Sequence, residues 1–363
     1  MNGEWNWRRL NLAALAAFVA GAIGCGVGAA LDLDGFSRAW LCAFLFWLGL
    51  PICGVTLVLV HDLTGGRWMA SARPALNAAI ATMPLAALAG IPAFVRIAAL
   101  YRWAHPGQSL SNAFYLNSTA FYLRYAIDVV LWCAIAAFAL WGPRGAAAPI
   151  APARSWISAV GLIALAFSAS FASIDWVLSL EPTFWSSIFP MIVGAGWFNT
   201  GLALVLLVVA AAGVERDHMA DIAAILLGVV IFWAYVEFMQ FLIIWEENLK
   251  SEIPWYLPRL SGVWAPTALV GLALGFFVPF FVLVSRPGKR SRAAVMIVCA
   301  AILLSRLADH WWLVLPEFSP GGPFWLDVAA IFTLGGLMLL LFFAGLRSQG
   351  LAVSAATLAR DHG

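Results

Sequence analysis

Ten apolar stretches of membrane-spanning length follow one another through almost the whole chain, and no other feature restricts its fold so severely. They occupy 12–31, 40–60, 76–100, 121–141, 156–178, 188–212, 222–245, 263–284, 293–315 and 325–346. A backbone crossing a bilayer finds no water to bond with, so each stretch must satisfy its own amides and carbonyls, which at this length means α-helix. The expected fold is an all-α polytopic membrane protein with about ten transmembrane helices in two packed bundles. Of the 363 residues 63% are hydrophobic and 10% charged, so no soluble catalytic domain is left over and any chemistry sits within the bilayer or at its edges. The first stretch reads as a span and not as a cleavable signal, because Arg8 and Arg9 precede a run of full length without a small-residue cleavage site. Pro51, Pro84, Pro92 and Pro279 fall inside stretches, where they are expected to kink helices and not to end them.

Sidedness follows from the cations. With a cytoplasmic N-terminus, that side receives Arg8, Arg9, Arg67, Arg73, Arg144, Arg154, Arg216, Arg286, Lys289, Arg290, Arg292, Arg347 and Arg360, against Arg38, Arg102, Lys250 and Arg259 on the other. Positive charge accumulates on the cytoplasmic side, so both termini are expected there. The Pro- and Ala-rich segment GPRGAAAPIAPARS reads as a cytoplasmic linker. It divides the chain into four helices over 1–141, the linker at 142–155, six helices over 156–346 and a cytoplasmic tail at 347–363.

Metal and redox ligands are sparse. Cys25, Cys42, Cys53, Cys133 and Cys299 all lie in apolar runs without a C-x-x-C pair and are expected to pack as small hydrophobes. His105, His218 and His362 fall in loops or the tail, while His61 and His310 belong to opposite ends of the membrane, which argues against a haem held between them. No phosphate loop, zinc signature or nucleophile elbow occurs, and nothing points to nucleic acid.

The intramembrane charges carry more information. Arg96, Arg124, Asp128, Asp175, Glu237, Gln240, Arg306, Asp309, His310 and Asp327 all fall in the periplasmic half of their spans. An unpartnered charge at a helix centre costs about 2.5–3.5 kcal/mol on insertion scales, so these groups must meet one another or line a wet cavity. Arg124 with Asp128 and Arg306 with His310 are spaced for one helix face, as is the stripe Trp233, Glu237, Gln240, Ile244. Arg124 and Asp128 could equally be a structural ion pair. Glu237 has no cation at helical spacing and is the strongest candidate for a proton carrier, passing protons by way of Gln240, Asp309 or His310 toward Asp175. At the cytoplasmic end of the second stretch, HDLTGGRW sets His61 beside Asp62 as a second candidate proton-accepting pair, or simply a polar helix end. In ASIDWVLSLEPTFWSSIF, Asp175 and Glu181 flank Trp176 at an expected interfacial belt, as a gate for protons or a quinone headgroup. The plainer reading has Asp175 paired with an arginine and Glu181 capping the next helix.

The ordered set SIDWVLSLEPTFWSSIF, HDLTGGRW, LYRWAHP, FYLN, FWAYVEFMQFLIIW and SRLADHWWLVLP resembles the ActF-type, quinone-reductase-like membrane subunit of alternative complex III, within the NrfD and polysulfide-reductase superfamily. Glu237 and the acidic WEEN at 245–248 depart from the pattern of that family. The resemblance implies a bacterial inner-membrane respiratory complex that oxidises quinol and passes electrons through iron–sulfur and haem subunits. It implies a related quinone-binding membrane subunit as neighbour, surrounding lipid, and no cofactor held covalently or by metal ligation in this chain, with quinol as its one candidate ligand. The function expected from it is scaffold plus a quinone-headgroup or proton pathway in the periplasmic half. A purely structural anchor and a secondary transporter are the alternatives, the latter disfavoured because the charges lie in one half of the membrane and not at its midplane.

Overall fold

The computed structural model describes residues 6–349 except 67, 106, 108–111, 142–151, 249 and 319–324, so most of the expected linker and tail lie outside the described residues. Regular structure among the described residues is entirely helical. Ten helices are long and apolar enough to cross a membrane: α1 Trp7–Leu31, α2 Leu33–Thr64, α3 Arg73–Phe94, α4 Ser118–Trp141, α5 Arg154–Leu180, α6 Phe189–Ala211, α7 Arg216–Glu247, α8 Trp264–Leu283, α9 Arg292–Glu317 and α10 Trp325–Ser348. The protein is a multi-pass membrane protein. Several helices run beyond their apolar stretches because polar residues cap them. Asp32 accepts the Gly35 amide at 2.8 Å to start α2, and Asn248, at φ 48°, turns the chain out of α7.

The third span departs from the expected continuous helix over 76–100. It is built from Arg73–Ala81, Met83–Leu88 and Ile91–Phe94, each beginning with a proline in its first turn. Proline has no amide to donate and crowds the preceding turn, so three of them in succession break the rod. Arg96 therefore falls beyond the span and not inside it, and it pairs at the surface with Asp34 at 2.8 Å.

Packing resolves the helices into two four-helix bundles, α2–α5 and α6–α9, joined where α2 lies against α6; α1 runs along α10, which packs on α2 and α3. The seam depends on small residues. A Cβ on Gly201 would meet Cys53 and the backbone of Gly49, and one on Gly49 would meet the Trp197 carbonyl. The bundle boundary is not the Pro- and Ala-rich linker, since α4 and α5 on either side of it pack in the same bundle. The chain passes between bundles at 181–188, within the stretch that carries Glu181 and Trp185. Spans alternate in direction, so one face holds the start of α1 and the ends of α2, α4, α6, α8 and α10. This is the N-terminal face, and the opposite one the far face.

Candidate functional site

Each bundle carries one buried charge cluster in the half nearer the far face. In the first, Arg124 of α4 donates from Nε and Nη2 to the two oxygens of Asp175 on α5, at 2.6 and 2.8 Å. Its Nη2 also donates to the Tyr115 carbonyl, and the guanidinium lies 4.0 Å above the Tyr115 ring. A planar guanidinium binds a carboxylate best through two parallel bonds, and Asp175 offers that geometry across the helix pair. Asp128, one turn along α4, is not the partner that its spacing suggests. It is buried, and its Oδ2 has no hydrogen-bond partner. Trp176 is not in an interfacial belt either: it is 1% exposed and packs among Phe44, Phe94, Trp132 and Trp197. Trp185 is exposed.

In the second bundle, α7, α8 and α9 enclose a cavity of about 240 Å³. Its inner wall holds Glu237 and Trp233 of α7 with Arg306 and Asp309 of α9, and Tyr256 closes one end. Phe238, Phe241, Leu269 and Leu272 of the spans, with Leu260 of the α7–α8 connection, line its exposed side. Arg306 is 1% exposed, lies 3.7 Å above the Trp233 ring and reaches Asp309 at 3.3 Å. Glu237 lies within electrostatic reach of both Arg306 and Asp309, yet its buried Oε2 has no hydrogen-bond partner. The nearby cation thus comes from another helix, and its ion pair is with Asp309.

The α8 wall is adapted to admit these groups. Over Ala273–Phe277 the helix widens to a π turn, and the Gly271 carbonyl, released toward α9, accepts the Ser305 hydroxyl at 2.7 Å. A Cβ on Gly275 would run into the Ser305 hydroxyl and press on Arg306 Nη2.

The remaining predicted residues are not drawn into one path. Gln240 accepts from Ser186 at 2.6 Å and donates to Tyr256 at 3.1 Å, so it braces the inter-bundle crossing against the end of the cavity. His310 is buried behind Arg306, its Nδ1 2.6 Å from the Arg306 carbonyl and its ring against Phe46 of α2. The residues of the expected relay from Glu237 through Gln240, Asp309 or His310 to Asp175 thus fall into two separate clusters, and among the described side chains no hydrogen-bonded chain joins them. His61 and Asp62 do not form a pair. His61 Nε2 lies 3.0 Å from the Gly66 carbonyl, while Asp62 forms an ion pair with Arg154 at 2.7 Å and accepts the Ser158 hydroxyl at 3.0 Å, clamping α2 to α5.

At the far face three inter-span connections and the end of α9 are tied together by charge. Arg102 reaches Glu317 at 3.1 Å and Glu181 at 3.8 Å, and Arg259 lies 3.7 Å from Glu317. Glu181 does not cap α6; it accepts the amide and hydroxyl of Thr183 within its own turn. Arg259 is wholly buried, stacked on Trp255 and bonded to the carbonyls of Trp255 and Leu313. Burial lowers its pKa and Glu317 opposes that shift.

Sequence reasoning missed Tyr256, Ser186 and the π turn. The first two sit in connections whose polar residues look like ordinary loop residues, and α8 shows only Gly271 and Gly275 as a trace of its altered winding. No family model matches the chain, and no curated protein matches it. Among the described residues no three of His, Cys, Asp and Glu form a metal-holding group. The cavity in α7–α9 has the chemistry for a ligand that is apolar along its length and polar at one end.

Proposed function

We propose that the chain is a membrane subunit of a quinol-oxidising electron-transfer complex of the alternative complex III kind, in a bacterial inner membrane, and that its α7–α9 cavity receives a quinol headgroup. The observation that carries this reading is the buried, unpartnered Glu237 oxygen at the inner wall of a cavity whose mouth is apolar and faces the lipid. A quinol has the matching shape: an isoprenoid tail for Phe238, Phe241 and Leu269, and a ring hydroxyl for the carboxylate. The ordered motifs that resemble the ActF-type subunit supply the partner class, namely iron–sulfur and haem subunits and a related membrane subunit.

Quinol supplies two electrons and two protons on oxidation, and the electrons pass to the other subunits. Glu237 accepts a hydroxyl hydrogen bond and, as the first electron leaves, that proton; it passes the proton outward and then takes the second as the second electron leaves. Arg306 balances the charge of Asp309 beside Glu237, and its stack on Trp233 fixes it there. Tyr256 offers a second hydroxyl at the cavity end, held by Gln240. With the charge bias placing the far face outward, a proton leaving Glu237 has the shorter way to the periplasm.

Gentle purification from the native membrane followed by identification of the co-purifying subunits tests the complex. Multihaem and iron–sulfur subunits in fixed ratio are expected. A chain that purifies alone, and fully active in moving a solute, would instead identify a transporter.

A further inference from the structure

At the N-terminal face the connection from α8 to α9 is short and cationic, reading Arg286-Pro287-Gly288-Lys289-Arg290-Ser291-Arg292. Its single helical turn, Arg286–Arg290, begins on a Ser285 side chain that accepts the Gly288 amide at 3.0 Å, and it packs against α7. Arg290 pairs with Asp217 near the start of α7. Arg292 donates to the carbonyls of Gly213 at 2.5 Å and Val214 at 3.2 Å, which fixes the α6–α7 connection to the start of α9.

Between these elements lies a cleft of about 390 Å³ lined by Arg216, Pro287, Arg290, Ser291 and Arg292. Three guanidinium-bearing residues surround it and no carboxylate lines it. The neighbouring recesses differ: one sets Arg286, Lys289 and Arg290 against Asp217 and Asp221, the other Arg216 and Arg290 against Glu215 and Asp217. Those two set acids against bases along their walls, whereas the arginine cleft presents cations alone: Arg290 is paired with Asp217 and Arg292 with backbone carbonyls, which leaves Arg216 as the cation open to an anion from outside.

Position selects the anion. The cleft stands at the ends of spanning helices, the level at which headgroups lie, and within two turns of it α8 and α9 expose Phe281, Val284 and Ile297. A free phosphate would use the arginines alone, while a phosphate carrying acyl chains uses both the arginines and the apolar flanks. We propose that the cleft between the α8–α9 connection and the start of α7 is a headgroup site for one anionic phospholipid of the surrounding leaflet.

Native mass spectrometry of the purified full chain tests it, with phosphatidylglycerol or phosphatidylcholine supplied in the detergent micelle. One phosphatidylglycerol should be retained in preference to phosphatidylcholine. Arg216→Gln, which has no described side-chain partner to lose, should weaken retention about fivefold, and Arg216→Gln with Arg290→Gln about 25-fold. Arg347→Gln, a basic residue at the same face but outside the cleft, should leave it unchanged. Equal retention of both lipids, or a loss equally large in the Arg347 variant, would overturn the proposal. Displacement of the lipid by millimolar glycerol phosphate as readily as by phosphatidylglycerol would reassign the cleft to a free phosphoanion.

Discussion

Arg306 sits over the indole of Trp233, its Cζ 3.7 Å from the ring centroid, and so carries a buried positive charge from α9 to α7 at the cavity wall. Asp309, one turn along, meets the same guanidinium at 3.3 Å. Removing one partner from a buried pair strands the other, so Arg306→Gln should cost about 3–5 kcal/mol of stability. Replacing Arg306 and Asp309 together by leucine should cost less than the single change. Thermal unfolding in detergent checks the order.

Asp128 and Asp175 should behave oppositely, although both are buried acids of the first bundle. Asp175→Asn removes the charge that Arg124 holds through two bonds and should cost about 3–5 kcal/mol. Asp128→Asn removes a carboxylate whose Oδ2 has no partner, and should be neutral or stabilising in the same assay.

The bundle seam predicts a sharp contrast between two glycines. Gly201 faces Cys53 and the backbone of Gly49, whereas a Cβ on Gly228 of α7 would meet nothing within 4 Å. Gly201→Val should therefore cost about 3 kcal/mol, at the upper end of the range for overpacking, because backbone cannot move aside. Gly228→Ala should gain up to about 1 kcal/mol from better helix propensity.

These contrasts show what the sequence made legible and what it hid. The spans were readable because hydrocarbon thickness sets a minimum apolar length and backbone hydrogen bonding leaves helices as the solution. The inward stripe of Trp233, Glu237, Gln240 and Ile244 was readable from its spacing alone. Partners across helices were readable only in outline: an arginine partner for Asp175 was one reading and is found, but register offered Arg124 to Asp128, and only the packing of α4 on α5 gives it to Asp175. The bundle boundary was hidden for a related reason. Composition marks a flexible connection, but contact decides which helices belong together, and α4 and α5 meet across theirs.

Sidedness has its own check. In a cysteine-free background, a cysteine placed at Ala147 should resist a membrane-impermeant thiol reagent in intact cells, and one placed at Ser251 should react. The reverse pattern would invert the orientation and turn the far face, with its Arg102–Glu317–Arg259 network, toward the cytoplasm.

The central claim is that a quinol headgroup enters the α7–α9 cavity and meets Glu237. Photolabelling of the assembled complex with an azido-quinone, followed by peptide mapping of this chain, tests it most directly. Label is predicted on α7, α8 and α9 around Phe238, Phe241 and Leu269. It should fall about tenfold in Glu237→Gln, which loses a hydrogen bond to a charged acceptor, and vanish in Ala268→Trp, which fills the cavity, while both variants keep their partner subunits. Label confined to other spans, or undiminished in both variants, would contradict the account.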